Sequence, residues 1–100
     1  TAPVRKKQLQ YLTKSVKAGE KFIICGDFNT FRGTGELDSF LQKCQLQSAN
    51  INHLPTYPAR KPAKELDYIL YSPDIKLKSF RVLRFSGSDH LPLLAEFASD

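Results

Sequence analysis

The stretch FIICGDFNT at residues 22–30 decides the fold. It begins with four apolar residues, a pattern that predicts a short strand buried on both faces of a layered α/β fold. Asp27 and Asn29 follow this strand two residues apart, so their side chains project to the same side while Phe28 turns inward. Open α/β sheets bind ligands at the carboxyl ends of such strands. The stretch therefore predicts a layered fold with a polar site at the end of this strand.

The segments on either side of this strand predict further helices and strands. Apolar residues at helical spacing indicate helices, and short apolar or alternating runs indicate strands. These rules give helices over residues 4–18 and 35–44, and strands over 66–71, 75–85 and 91–97. Three prolines exclude a central strand from residues 50–65 and predict a basic surface loop there. The predicted fold class is α/β (α+β), a mixed β-sheet with helices on one face.

Local sequence features predict how these elements begin, turn and bend. Thr34 is the expected N-cap of the second helix. Residues 72–74 are predicted to form a turn. The alternation of apolar and polar residues is interrupted between Leu77 and Phe80, which predicts a bulge. Alternating apolar residues in the last strand are expected to share one face. They are Leu91, Leu93, Ala95 and Phe97.

The composition limits the class of protein. A chain of 100 residues is one domain at most, and its longest unbroken apolar run, four residues, is far below the roughly 20 that span a bilayer. We therefore expect no transmembrane segment, and the basic N-terminal residues are not followed by the apolar region of a secretory signal. Cys25 and Cys44 are expected as small core residues. The net charge of +5 favours an anionic partner.

Asp67 lies inside the apolar run at residues 66–70 and needs a partner. Burying an unpaired carboxylate costs on the order of several kcal/mol. We expect His90 to be the partner, because an aspartate on one imidazole nitrogen fixes the tautomer and leaves the other nitrogen facing a substrate. Its neighbour Asp89 points elsewhere unless the backbone bends, which Gly87 permits. His53 is expected to be a surface or loop-packing residue, with no acidic residue at a matching position.

The Asp27 and Asn29 pair has two interpretations. A carboxylate can take a proton from water while a neighbouring amide holds that water in line. Alternatively, the pair forms an Asx turn after the strand.

Three short motifs, GDFN at 26–29, LDYI at 66–69 and SDH at 88–90, occur in this order. Together they resemble the carboxyl-terminal half of the endonuclease/exonuclease/phosphatase superfamily, the DNase I-like metal-dependent phosphoesterases. The segments at residues 5–12 and 56–58 extend the resemblance over essentially the whole chain. It implies half of a four-layer α/β/β/α sandwich, with residues 1–100 as a single fragment that lacks the metal-ligating Glu of the first half.

The resemblance also implies catalytic roles. Asp27 would be the general base for the attacking water, and Asn29 would hold that water or the scissile phosphate. His90, oriented by Asp67, would donate to a phosphate oxygen as negative charge grows.

A metal ion and a substrate are implied in the same way. Asp89 and Asp27 would hold Mg²⁺ or Mn²⁺. The implied substrate-binding residues are Asn29, Thr30, Tyr57 and Arg60. The expected substrate is a phosphate ester, in nucleic acid or phospholipid, and the fragment alone is expected to be inactive. The alternative is a non-catalytic module that binds phosphate or nucleic acid. Self-association is expected through the sheet face that the first half would cover, and the sequence indicates no compartment.

Overall fold

The computed structural model describes residues 11–16, 20–28, 35–85 and 87–98. Residues 11–15 are helical (α1), which agrees with part of the helix predicted over 4–18; the rest of that prediction, apart from residue 16, lies outside the described residues. The second helix, α2, spans Gly35–Cys44 as expected, and Lys43 in its last turn complements the helix dipole. Its expected N-cap, Thr34, is also outside the described residues. No helix in the described ranges is long and apolar enough to cross a membrane.

The described strands form two antiparallel sheets. The strands are β1 (Ile23–Asp27), β2 (Gln47–Ser48), β3 (Asp67–Tyr71), β4 (Leu77–Val82) and β5 (Leu93–Phe97). One sheet has the order β1-β3-β2, and β4 pairs with β5 in the other. The α/β class is confirmed, but the described pairing is antiparallel where we expected a mixed sheet. β1 and β3 are antiparallel because residues 49–66 return the chain to the carboxyl end of β1, where β3 begins. The two-residue strand β2 was not predicted.

The β4 and β5 pair confirms the predicted irregularity. Its register shifts between Leu77 and Ser79. In β5, Leu93, Ala95 and Phe97 are partly buried while the intervening residues are exposed, as the alternation predicted. The rings of Tyr71 and Phe97 meet edge to face at 5.4 Å, which joins the two sheets.

The core lies between α2 and one face of the first sheet. Its buried residues are Leu37, Phe40, Leu46, Tyr68 and Leu70. Phe28 turns inward as expected, with its ring centroid 6.4 Å from that of Phe40 and 5.8 Å from that of Tyr68. Each fully buried large apolar side chain contributes roughly 1.5–3 kcal/mol. This packing fixes the carboxyl end of β1, where Asp27 lies.

The other face of β1 corrects two expectations. Ile23 is 49% exposed and Cys25 is exposed, so β1 is not buried on both faces and Cys25 is not a core residue. Helix α2 covers only the face that carries Ile24 and Phe28. Because side chains alternate along a strand, Ile23 and Cys25 point to the opposite face. Cys44, in contrast, packs against the core as expected.

Candidate active site

The register of β1 and β3 places two predicted site residues directly opposite each other. Asp27, the last residue of β1, pairs with Asp67, the first residue of β3. Directly opposite residues in an antiparallel pair have their side chains on one face, and two like charges there are unfavourable. A cation or a hydrogen-bond donor beside these carboxylates therefore stabilises the sheet at this end.

His90 supplies that donor. Its Nδ1 atom lies 2.6 Å from Oδ2 of Asp67, and its Nε2 atom lies 3.8 Å from Oδ2 of Asp27. The contact expected between Asp67 and His90 is thus present. The side chain of Asp27 is 46% exposed, compared with 20% for Asp67 and 31% for His90. Solvent, or a ligand, therefore reaches the site from the Asp27 side.

Two backbone hydrogen bonds hold the segment that carries His90. The amide of Leu91 donates to the carbonyl of Thr56 at 2.8 Å, and the amide of Ala59 donates to the carbonyl of Asp89 at 2.7 Å. Leu91 is buried. Residues 87–90 bend, and the Phe85 ring packs so closely against Gly87 that a Cβ atom there would overlap it. The bend expected at Gly87 therefore accompanies a close approach of this aromatic ring.

Thr56 is a site residue that the sequence analysis did not identify. It is fully buried, and its hydroxyl donates to Oδ2 of Asp67 at 2.8 Å. The same hydroxyl accepts from the amides of Leu66 at 3.1 Å and Asp67 at 3.2 Å. The sequence did indicate that Asp67 needs a second hydrogen-bond donor, because a half-buried carboxylate in an apolar strand needs more than one. The sequence did not show which loop residue supplies the second one.

Tyr57 lies against the imidazole. The centroids of the Tyr57 and His90 rings are 4.8 Å apart, with the rings tilted by 46°. Backbone hydrogen bonds in both directions with Lys64, 3.1 and 2.9 Å long, hold Tyr57 in the loop. The ring therefore forms one wall beside His90.

The environment of His90 favours its protonated form. The hydrogen bond to Asp67 raises the pKa of His90 above its usual value of 6.5, and burial opposes this rise. The negative charges of Asp67, Asp27 and Asp89 add smaller upward contributions. An imidazolium held in this way can donate from Nε2 to an anionic oxygen.

The group formed by Asp27, Asp67 and His90 can hold a metal ion, since each residue offers one ligand atom within 4.8 Å of the others. Mg²⁺ takes six ligands, mostly oxygen, and this group supplies two carboxylates. One of those carboxylate oxygens is already engaged by the imidazole and by Thr56. The described residues therefore fit part of the coordination sphere of a hard divalent ion.

The remaining predicted site residues lie elsewhere. Asp89 is exposed and does not belong to that group; with Arg60 it lines a cavity of about 440 Å³ between residues 58–60 and 87–89. This cavity adjoins the site along the chain, because Pro58 follows Tyr57 and Asp89 precedes His90. Asn29 and Thr30 lie outside the described residues.

His53 has an acidic partner that we did not expect. Its Nδ1 atom lies 2.9 Å from Oε1 of Glu65, whose side chain is only 11% exposed. Burial raises the pKa of Glu65 above its usual value of 4.5, while the contact with His53 works in the opposite direction. His53 itself is exposed, which agrees with the expectation of a surface or loop-packing residue. The sequence did not reveal this pair, because the two residues are 12 positions apart in the chain.

The sequence matches the Endonuclease/Exonuclease/phosphatase family over residues 2–90, and the chain belongs to that family. It is a family of phosphoesterases, as the motifs GDFN, LDYI and SDH indicated. No curated protein matches the chain.

Two solved structures share the fold. One is a mannosyl-6-phosphatase of Bacteroides thetaiotaomicron, with a TM-score of 0.69, 20% identity and coverage of 94% of this chain and 44% of that one. The other is an endonuclease/exonuclease/phosphatase family protein from Leptotrichia buccalis, with a TM-score of 0.69, 20% identity and coverage of 94% and 41%. The chain thus spans less than half the length of either structure.

Proposed function

We propose that this chain carries catalytic residues of a metal-dependent phosphoesterase that hydrolyses a phosphate ester with an activated water. The observation that supports this most directly is the placement of His90, held by Asp67 through Nδ1, with Nε2 3.8 Å from the Asp27 carboxylate. A base and a protonated donor then lie side by side at the open edge of the sheet.

Asp27 is proposed as the general base. A water oxygen about 2.8 Å from both Asp27 Oδ2 and His90 Nε2 lies to one side of the line that joins them, so one water can donate to Asp27 and accept from His90. The carboxylate accepts the proton of the attacking water as the new phosphorus–oxygen bond forms and the ester phosphorus–oxygen bond breaks. The alcohol leaves and takes its proton from solvent. Asn29, two residues further on, is proposed to hold that water or the scissile phosphate.

His90 is proposed to stabilise the phosphate. Its imidazolium donates from Nε2 to a non-bridging oxygen, where negative charge grows in the transition state. Asp67 orients the ring and compensates its charge, and therefore acts through His90 as a positioning residue.

Asp27, together with Asp89 from the adjoining cavity, is proposed to hold Mg²⁺ or Mn²⁺, because carboxylate oxygens are the donors that these hard ions prefer. Asp67 and His90 are engaged with each other instead. When bound, the ion neutralises charge on the phosphate oxygens. Since the described residues supply only part of a coordination sphere, we propose that these 100 residues do not turn over substrate alone and act as a fragment of a larger catalytic domain.

Substrate contacts are proposed for Thr30, Tyr57 and Arg60, beside the contact of Asn29. Tyr57 lies against His90, and Arg60 lines the adjoining cavity with an exposed cation. The proposed substrates are nucleic acid and phospholipid. The Bacteroides structure bears the name of a mannosyl-6-phosphatase, so a sugar phosphate is a further proposed substrate to be tested beside these two.

A second candidate function is supported by the net charge of +5. A non-catalytic module would bind phosphate-bearing partners through its basic loop, with strong salt dependence and no need for a metal ion. This candidate predicts affinity without turnover.

An activity assay separates the two functions. The purified full-length protein is assayed with Mn²⁺ or Mg²⁺ against a nitrophenyl phosphodiester, a nitrophenyl phosphomonoester, a hexose phosphate, RNA, DNA and phospholipid vesicles. We expect metal-dependent turnover that falls by about 10²- to 10⁴-fold in Asp27→Asn. Asp38→Asn, an exposed aspartate on α2, is the matched control and should retain wild-type turnover. Salt-sensitive binding without hydrolysis of any of these substrates would support the second function instead.

A further inference from the structure

Thr56 connects three parts of the site through one fully buried residue. Its amide donates to the carbonyl of Lys64 at 2.9 Å, and its carbonyl accepts from the amide of Leu91 at 2.8 Å. Its hydroxyl donates to Asp67 Oδ2 at 2.8 Å and accepts from the amides of Leu66 and Asp67. The loop, the first residue of β3 and the segment that follows His90 therefore all meet at this residue.

The directions of these hydrogen bonds are fixed by chemistry. Backbone amides can only donate, so the Thr56 hydroxyl accepts from Leu66 and Asp67, and its single hydrogen is left for the Asp67 carboxylate. An ionised carboxylate only accepts, so Asp67 Oδ2 receives a hydrogen bond from Thr56 and another from His90 Nδ1. When His90 is neutral, its proton therefore resides on Nδ1. Protonation of the ring adds a second proton at Nε2, and this is the proton that the proposed function directs to the phosphate.

Thr56 is hydrogen-bonded on both sides of the pair formed by Asp67 and His90. Its hydroxyl holds the carboxylate of Asp67, while its carbonyl anchors Leu91, the residue directly after His90. Thr56 therefore supports both partners of the 2.6 Å pair, Asp67 directly and His90 through the next residue in the chain. The β-branched side chain of threonine restricts rotation about its first torsion, which keeps the hydroxyl aimed at Asp67.

We infer that Thr56 is a positioning residue: it orients the Asp67 carboxylate and thereby fixes His90 as the Nδ1–H tautomer, with Nε2 directed towards Asp27 and the substrate. The catalytic meaning of this inference rests on the proposed function. The tautomer itself is a property of the folded protein and can be measured without any activity.

The tautomer is read from long-range proton–nitrogen NMR spectra of the ¹⁵N-labelled full-length protein. The spectra are recorded at a pH high enough for His90 to be neutral. We expect a protonated Nδ1 and an unprotonated Nε2 in the wild type. In Thr56→Val, which keeps the shape but lacks the hydroxyl, the Nδ1 and Nε2 shifts of His90 should move towards a mixture of tautomers. Thr56→Ser, which keeps the hydroxyl, should restore the wild-type pattern.

Ser72→Ala is the matched control. Ser72 is also buried, and its hydroxyl also serves both a backbone amide, that of Phe22 at 3.0 Å, and a carboxylate, that of Asp74 at 2.8 Å. It lies about 16 Å from Asp67, beyond the other end of β3. Loss of this hydroxyl should lower stability and leave the His90 tautomer unchanged.

Activity provides an independent measurement. A misplacement of about 1 Å in a catalytic group can cost about 10²-fold in rate, so we expect kcat to fall by up to about 10²-fold in Thr56→Val with little change in KM. Thr56→Ser should recover most of that loss. A wild-type protein without phosphoesterase activity would overturn the proposed function and leave the NMR result to decide the role of Thr56.

Two NMR results would overturn the inference. One is a wild-type spectrum with His90 as the Nε2–H tautomer. The other is a folded Thr56→Val protein that keeps a pure Nδ1–H tautomer. If Thr56→Val does not fold, the spectra of the wild type and of Thr56→Ser decide, because both must show the Nδ1–H form.

Discussion

Asp27 and Asp67 are direct cross-strand partners at the ends of β1 and β3, and the imidazole of His90 lies within 3.8 Å of the first carboxylate and 2.6 Å of the second. Two carboxylates at this register repel each other. The neutral imidazole still donates to Asp67, but only the protonated ring adds the positive charge that compensates this repulsion. The proposed catalytic group is therefore also a structural element whose stability depends on pH.

The pH dependence of stability should report on His90. Its pKa is raised in the folded protein, above the value of about 6.5 that the unfolded chain has, so the folded state binds more protons between the two values. The stabilisation is fully present below 6.5 and is lost as the pH rises through the folded-state pKa. Urea unfolding of the wild type across this window should show the loss. His90→Asn should remove it, and an unchanged pH profile in that variant would contradict the expectation.

Glu65 should also make the protein less stable as the pH rises, but in a lower pH range than His90. Burial raises its pKa above 4.5, so the folded state again retains a proton that the unfolded chain has released. Stability should therefore fall as the pH rises above 4.5 through the folded-state pKa of this carboxyl. Glu65→Gln should flatten this part of the profile in urea unfolding. Glu96→Gln, at an exposed position on β5, is the control and should keep the wild-type slope.

The core between α2 and the first sheet makes a prediction that does not involve charge. Leu70 in β3 has no exposed surface, so Leu70→Ala should destabilise the protein by about 2–5 kcal/mol through lost burial and a cavity. Leu94 in β5 is 38% exposed, and Leu94→Ala should cost clearly less. Equal shifts of the urea midpoint in the two variants would contradict this assignment of the core.

The two cysteines should report which face of β1 is covered. Cys25 is exposed on the face opposite α2, whereas Cys44 packs against the core. A thiol reagent should therefore modify Cys25 first under native conditions, and Cys25→Ser should remove this fast phase. Self-association through this face stays a prediction. It would appear as protection of Cys25 and as a sedimentation coefficient that both increase with protein concentration, and Ile23→Lys should abolish both.

Local patterns in the sequence predicted the features that depend on neighbouring residues. The apolar stripe gave the bounds of α2, and the broken alternation gave the bulge after Leu77. The contact between Asp67 and His90 followed from the cost of a buried carboxylate, which needs no knowledge of the fold. These predictions succeeded because each rests on spacing along the chain or on a strong energetic requirement.

The features that the sequence did not reveal depend on tertiary packing. An apolar run such as 22–25 does not show whether a second layer covers its other face, so the exposure of Ile23 and Cys25 was missed. Thr56 reaches Asp67 only because the loop folds back onto β3. The His53 and Glu65 pair forms across the same loop.

Removal of the metal ion should separate the proposed metal-binding role of Asp89 from the proposed base role of Asp27. A chelator should abolish turnover, and added Mn²⁺ should restore it. Asp89→Asn and Asp27→Asn should both weaken Mn²⁺ binding in calorimetry, because each loses a charged oxygen ligand. Raising the Mn²⁺ concentration should recover most of the activity of Asp89→Asn, whose general base is intact. It should recover little in Asp27→Asn, where the group that accepts the proton of water is gone. Full recovery in both variants would show that Asp27 acts only as a metal ligand, and the proton would then have to go to another group.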